Sequence, residues 1–272
     1  MHCPLRSDLW VTGKRAAWSA VLLGTLVLTG CGADPEPSRP EELSPASDQE
    51  KSDSPSSARE AYAQALERLM SDHILPDGTD RSADFDPMYG NERVDIGKNQ
   101  FAVADVDGDG TEELVIQYLS TDGAGKRGLV SSWDSEDGLS TAVFANSSLT
   151  FYENGAVRED WGHNQGRSGR QWPFFLYRYL PQTDSYEEVG ALEAWDIRVC
   201  EDDFPRETDT SGSGMVYYIY PAELDASQWD MVEPVDRSVY QIWLDETLQG
   251  SPERALTYFP LTEENIRQIC QE

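Results

Sequence analysis

The sequence predicts an α+β fold built on antiparallel β-hairpins with a helix at either end, and three observations carry that expectation. Between Phe101 and Tyr220 apolar residues recur in short alternating runs broken by turn residues, the pattern of half-buried strands. Asn154-Gly155 stands between two such runs, and both of its positions tolerate the positive φ of a tight hairpin turn. Helical spacing is clearest after Ser57 and again after Thr262.

The elements follow in order. A mildly basic stretch ending in Lys14-Arg15 precedes an uncharged run from Ala16 to Gly30, so residues 1–30 have the layout of a signal peptide. That run covers about 15 residues, where a helix crossing the hydrocarbon core needs roughly 20. Residues 31–56 are an acidic Pro- and Ser-rich tether with too few apolar side chains to offset the entropy of ordering. One exported domain is expected over residues 57–272, with no second boundary and no repeat of fixed period. Ser57 and Glu60 have capping-box spacing, and Tyr62, Leu66, Leu69, Met70 and His73 follow at helical intervals until Pro76. His73 lies on or beside that stripe and is assigned to packing.

Phe101 and Val103, then Leu114, Ile116 and Tyr118, alternate as strands. Leu129–Trp133 forms another before a turn at Asp137-Gly138, and Phe151-Tyr152 and Val157 flank the Asn-Gly turn. Phe174–Tyr179 and Tyr186–Val189 pair across Pro181–Asp184, and Met215–Tyr220 and Val239–Leu244 read as later strands. A short helix from Thr262 brings Ile266 and Ile269 onto one face.

Charge narrows the partners. The net charge is −29, and removing residues 1–30, with three basic residues and one acidic residue, takes it to −31. Such a surface repels nucleic acid and bare anionic lipid.

The chemically informative segment is Asp105-Val106-Asp107-Gly108-Asp109-Gly110-Thr111-Glu112-Glu113. Three carboxylates at alternate positions, with a glycine that permits a sharp turn, let one short loop wrap oxygen ligands around a hard cation. Calcium takes roughly six to eight oxygens, so Asp105, Asp107 and Asp109 are assigned as side-chain ligands, Thr111 as a backbone carbonyl ligand and Glu113 as a further carboxylate. An EF-hand is excluded, because its twelfth position is Ile116 rather than Glu and the flanking sequences read as strands. With those flanks the segment resembles the calcium loops of the integrin-like FG-GAP and VCBS repeat families, over roughly Gln100 to Leu119. It is also similar to the strand, Asp-rich loop and strand of uncharacterised surface lipoproteins of Gram-positive bacteria. A propeller of such repeats needs several loops, and Asp134-Ser135-Glu136-Asp137-Gly138 reads as a plain hairpin turn.

Leu28-Thr29-Gly30-Cys31 resembles the lipobox of bacterial lipoproteins. The resemblance implies lipidation of Cys31, anchoring by acyl chains, and a domain on the extracytoplasmic face of a cell membrane. Cys3 would leave with the signal, which leaves Cys200 and Cys270 as one pair in an oxidising compartment. A disulfide between them would stabilise the fold by roughly 4 kcal/mol, the alternative being two separately buried thiols.

Two function classes follow. The first is a calcium-stabilised, non-enzymatic module that binds a surface protein or a glycan. The loop from Trp161 to Trp172 offers aromatics with polar donors, and Trp161, His163, Arg167, Arg170 and Trp172 are its candidate ligand-binding residues. The second is an extracytoplasmic hydrolase of glycosidase or peptidase type. No nucleophile elbow and no HExxH motif supports it, and no residue is assigned as catalytic.

Overall fold

The structure, a computed structural model, describes residues 55–85, 95–120, 126–160, 173–198 and 200–271. In chain order the described elements are α1 (Ala58–Asp72), β1 (Gln100–Ala104), β2 (Glu113–Tyr118), β3 (Arg127–Asp134), β4 (Gly138–Phe144), β5 (Ser148–Tyr152), β6 (Val157–Asp160), β7 (Phe174–Leu180), β8 (Ser185–Asp196), β9 (Met215–Pro221), α2 (Arg237–Leu248), β10 (Glu253–Arg254), β11 (Phe259–Pro260) and α3 (Glu263–Ile269). The strands form two antiparallel sheets, ordered β11-β1-β2-β3-β4 and β10-β5-β6-β7-β8-β9. The α+β class is therefore as the sequence predicts.

The layers follow from the period-2 alternation of side chains. In the first sheet Phe101, Leu114, Ile116 and Leu129 face outward and are covered by Tyr62, Leu66 and Leu69 of α1 and by Ile266 and Ile269 of α3. Their neighbours Ala102, Val115 and Val130 face inward and meet Phe151, Val157 and Tyr177 of the second sheet. The second sheet turns Phe174, Leu176, Leu192 and Tyr217 the other way, under Tyr240, Trp243, Leu244 and Leu248 of α2. The order of layers is helix, sheet, sheet, helix. Among the described residues no helix is long and apolar enough to cross a membrane.

α1 begins as its sequence dictates, with the Ser57 side chain accepting from the Glu60 amide at 3.3 Å. The Glu60 carboxylate reaches the amide and hydroxyl of Ser56, each at 2.7 Å, so the return half of the box falls one residue early. The helix ends at Asp72, ahead of Pro76, because His73 adopts a left-handed φ of 59°. His73 stacks on Phe85 with ring centroids 3.9 Å apart, which is a packing role.

Val239–Leu244 is helical, contrary to the strand the sequence suggests. Its β-branched and aromatic residues favour strands, but Tyr240, Trp243, Leu244, Thr247 and Leu248 recur at the spacing of one helical face, and that face covers the second sheet.

The predicted pairing of Cys200 with Cys270 is also corrected. Cys270 is free and exposed at the end of α3, on the outer side of the first sheet. Cys200 is buried with Trp195 and Phe204 against the second sheet and is disulfide-bonded, but not to Cys270. A disulfide requires Cα atoms within about 7 Å, and these two cysteines belong to different layers.

Candidate metal centre

The loop between β1 and β2 holds the three alternating aspartates. Val106 fixes it from inside, fully buried with Val115, Phe144 and Val157 between the sheets. Each aspartate then accepts an amide further along the chain: Asp105 from Gly108 at 2.7 Å, Asp107 from Asp109 at 3.1 Å, and Asp109 from Thr111 at 2.6 Å. These side-chain turns curl the loop around its own carboxylates. One oxygen from each of Asp105, Asp107 and Asp109 lies within 4.8 Å of the others, so the triad can hold a metal ion.

The loop's surroundings explain why it keeps this shape. Gly108 has φ +85°, a backbone conformation that side-chain-bearing residues rarely adopt. Gly155, in the turn between β5 and β6, has φ +81°, and a Cβ there would lie 2.5 Å from the Asp107 carbonyl oxygen. The Asn-Gly turn is thus selected twice, for its own hairpin and for close approach to the acidic loop. Arg254 of β10 donates to the Asp105 carbonyl, and its guanidinium lies 3.8 Å from the Asp105 carboxylate. At the other end Arg59 of α1 grips the Glu112 carboxylate through two bonds of 2.9 Å, and the Tyr62 hydroxyl donates to the Glu112 carbonyl at 2.6 Å.

The charges sit in unequal surroundings. Asp109 is exposed, Asp105 half-buried and Asp107 only 5% exposed. Burial, with the neighbouring aspartates adding, pushes the Asp107 carboxyl up to about 6. Glu113 is 1% exposed, and burial followed by the three aspartate charges pushes it up to about 8. Its carboxylate accepts the Val106 amide at 2.8 Å. Glu113 therefore clasps the loop's own backbone, where the sequence assigns it as a ligand. Thr111 donates its amide and hydroxyl to Asp109, which places it in the loop beside the triad.

Residues remote in sequence complete the surroundings. Tyr179 of β7 and Arg254 of β10 are brought near the loop by the stacking of the sheets, and Arg59 by the packing of α1 over the first sheet; all three stand far along the chain from the loop and carry no motif. Cys31 and the candidate ligand residues Trp161, His163, Arg167, Arg170 and Trp172 lie outside the described residues. No protein-family model, no curated protein and no solved structure matches this chain.

Proposed function

We propose that this chain is a membrane-anchored extracytoplasmic lipoprotein whose domain binds one calcium ion in the β1–β2 loop and serves as a binding module for a protein or glycan. The observation that carries the cation reading is the convergence of the Asp105, Asp107 and Asp109 oxygens within 4.8 Å, in a loop braced from both sheets and α1. Crowded carboxylates that are partly buried repel one another, and a divalent cation removes that repulsion. Calcium suits the site better than magnesium, because it accepts irregular oxygen geometry and sheds water readily. The ion's role is structural: it ties a loop of the first sheet to the turns of the second. The lipid anchor rests on the resemblance at Leu28–Cys31, and the partner on the aromatic and polar composition of residues 161–172.

The test is thermal unfolding of chelator-treated protein with and without added calcium. A ligand that binds only the folded state stabilises by about 2.7 kcal/mol at a free concentration 100 times Kd. The parent should melt at a higher temperature in calcium, and Asp107→Ala should not respond. A parent melting temperature indifferent to calcium would overturn the cation reading.

A further inference from the structure

An open sheet has two edges, and this molecule treats its four edges differently. β10 and β11 end their sheets with two residues each, and β9 is covered where Val235 exchanges backbone hydrogen bonds with Tyr217, at 2.7 and 3.0 Å. β4 is the exception. It closes the first sheet with seven residues and pairs with β3 in unbroken register from Gly138 to Phe144. Among the described residues no strand or other backbone group bonds to its outer side. Proteins that stay monomeric blunt such an edge with lysine, proline, a bulge or a cover. Gly138-Leu139-Ser140-Thr141-Ala142-Val143-Phe144 contains no charged residue and no proline, and its pairing with β3 has no bulge. Val143, near its far end, is 39% exposed.

The geometry points to a second copy of this chain as the occupant of that edge, with β4 paired antiparallel to the β4 of the other copy about a two-fold axis at Thr141. This pairing does not depend on the cation site. Self-complementarity selects the occupant. A two-fold axis sets each end of β4 against the opposite end of its mate, and the two ends carry opposite charge. Exposed Glu136 and Asp137 stand in the turn before Gly138. Beyond Phe144 the Arg127 guanidinium donates to the Ala145 carbonyl at 3.0 Å, with exposed Lys126 next to it in the chain. With Thr141 on the axis, Asp137 of one copy falls opposite Ala145 of the other, beside Arg127. The same register places Leu139 opposite Val143, and both lie on the face of the sheet that α1 and α3 cover. The exposed Val143 of each copy thereby gains an apolar neighbour, with Thr141 against Thr141 between the two pairs; apolar and Thr–Thr pairs of this kind stabilise antiparallel strands. The net charge of −29 opposes approach from a distance, but exposed charges are screened beyond about 8 Å in physiological salt, whereas the paired ends act at contact.

The experiment is sedimentation equilibrium of the detergent-solubilised full chain over a range of concentrations, for the parent, Val143→Lys, Asp137→Lys and Ile242→Lys. Val143, Asp137 and Ile242 are exposed, so the substitutions spare the fold, and far-UV circular dichroism with the melting temperature checks this. The parent should sediment as a monomer–dimer equilibrium. Val143→Lys puts a charge on the edge and removes two apolar pairs per dimer, and should raise the dimer dissociation constant about tenfold. Asp137→Lys sets like charges against Arg127 at both ends and should raise it about fivefold. Ile242→Lys, on the outer face of α2 and 60% exposed, should leave it unchanged. A parent that stays monomeric at every concentration overturns the inference. So does a dimer that neither Val143→Lys nor Asp137→Lys weakens, and a dimer that Ile242→Lys alone dissolves places the interface on α2 instead. Should Val143→Lys fail to fold, Asp137→Lys in the turn decides. None of these outcomes bears on the melting response to calcium, so the cation reading stands or falls separately.

Discussion

Glu113 is a carboxylate that folding places almost wholly out of water, clasped to the Val106 amide and faced by three aspartates. Its folded pKa of about 8 lies well above the ordinary value of 4.5. Between those limits the folded protein holds a proton that the unfolded chain has released, so the stability present below about 4.5 is lost as pH rises through about 8. Asp107, raised to about 6, and Glu159, raised by burial, act in the same direction. The carboxylates held low by hydrogen bonds, such as Asp196 and Asp236, contribute their pH dependence below this window. In chelator, the melting temperature should therefore fall by several degrees from pH 4.5 to pH 8. Glu113→Gln keeps an acceptor for Val106 but cannot ionise, so its curve should be flatter, most clearly above pH 6. Calcium at pH 8 should restore the parent by supplying the charge the proton no longer provides. A parent curve that is level or rising across this range would contradict the assignment.

At the scale of elements, the loop's form depends on a hairpin it is not part of. Gly138 and Gly155 both close hairpins with positive φ, +82° and +81°, yet nothing lies within 4 Å of a Cβ on Gly138, whereas one on Gly155 would strike the Asp107 carbonyl. Alanine at Gly138 should cost only the left-handed penalty, about 1–2 kcal/mol. Alanine at Gly155 should cost more by denaturant titration and should also weaken calcium binding; equal costs and an unchanged Kd would show that the close approach does not matter. Asn154-Gly155 was legible in the sequence as a turn, because turn chemistry is local. Its second role was not, because that depends on two sheets stacking. The same division holds elsewhere. The Ser57 and Thr262 caps, the alternation of Leu114 and Ile116 and the acidic triad are local patterns, and each appears where the sequence puts it. α2 was missed because Val239, Tyr240, Ile242 and Trp243 have strand propensities, and the second sheet's need for cover decides otherwise. β10 and β11, two residues each, carry no sequence signal, although Arg254 reaches the acidic loop from one of them.

At the scale of the whole molecule the cysteines separate two chemistries for this chain. Its four cysteines are Cys3, Cys31, Cys200 and Cys270. Cys270 is free and exposed, and Cys200 is buried and disulfide-bonded. Cys200 lies buried among Trp195, Phe204 and Tyr218, so its disulfide is shielded from solvent by packing. Alkylation of the native protein from the membrane fraction should modify Cys270 only. Denaturant together with reductant should expose Cys200 to the same reagent while denaturant alone should not, and Cys31→Ser should shift the protein from the membrane to the soluble fraction. Reaction of Cys200 in denaturant without reductant would overturn its disulfide, and a Cys31→Ser protein that stayed in the membrane fraction would overturn the lipid anchor.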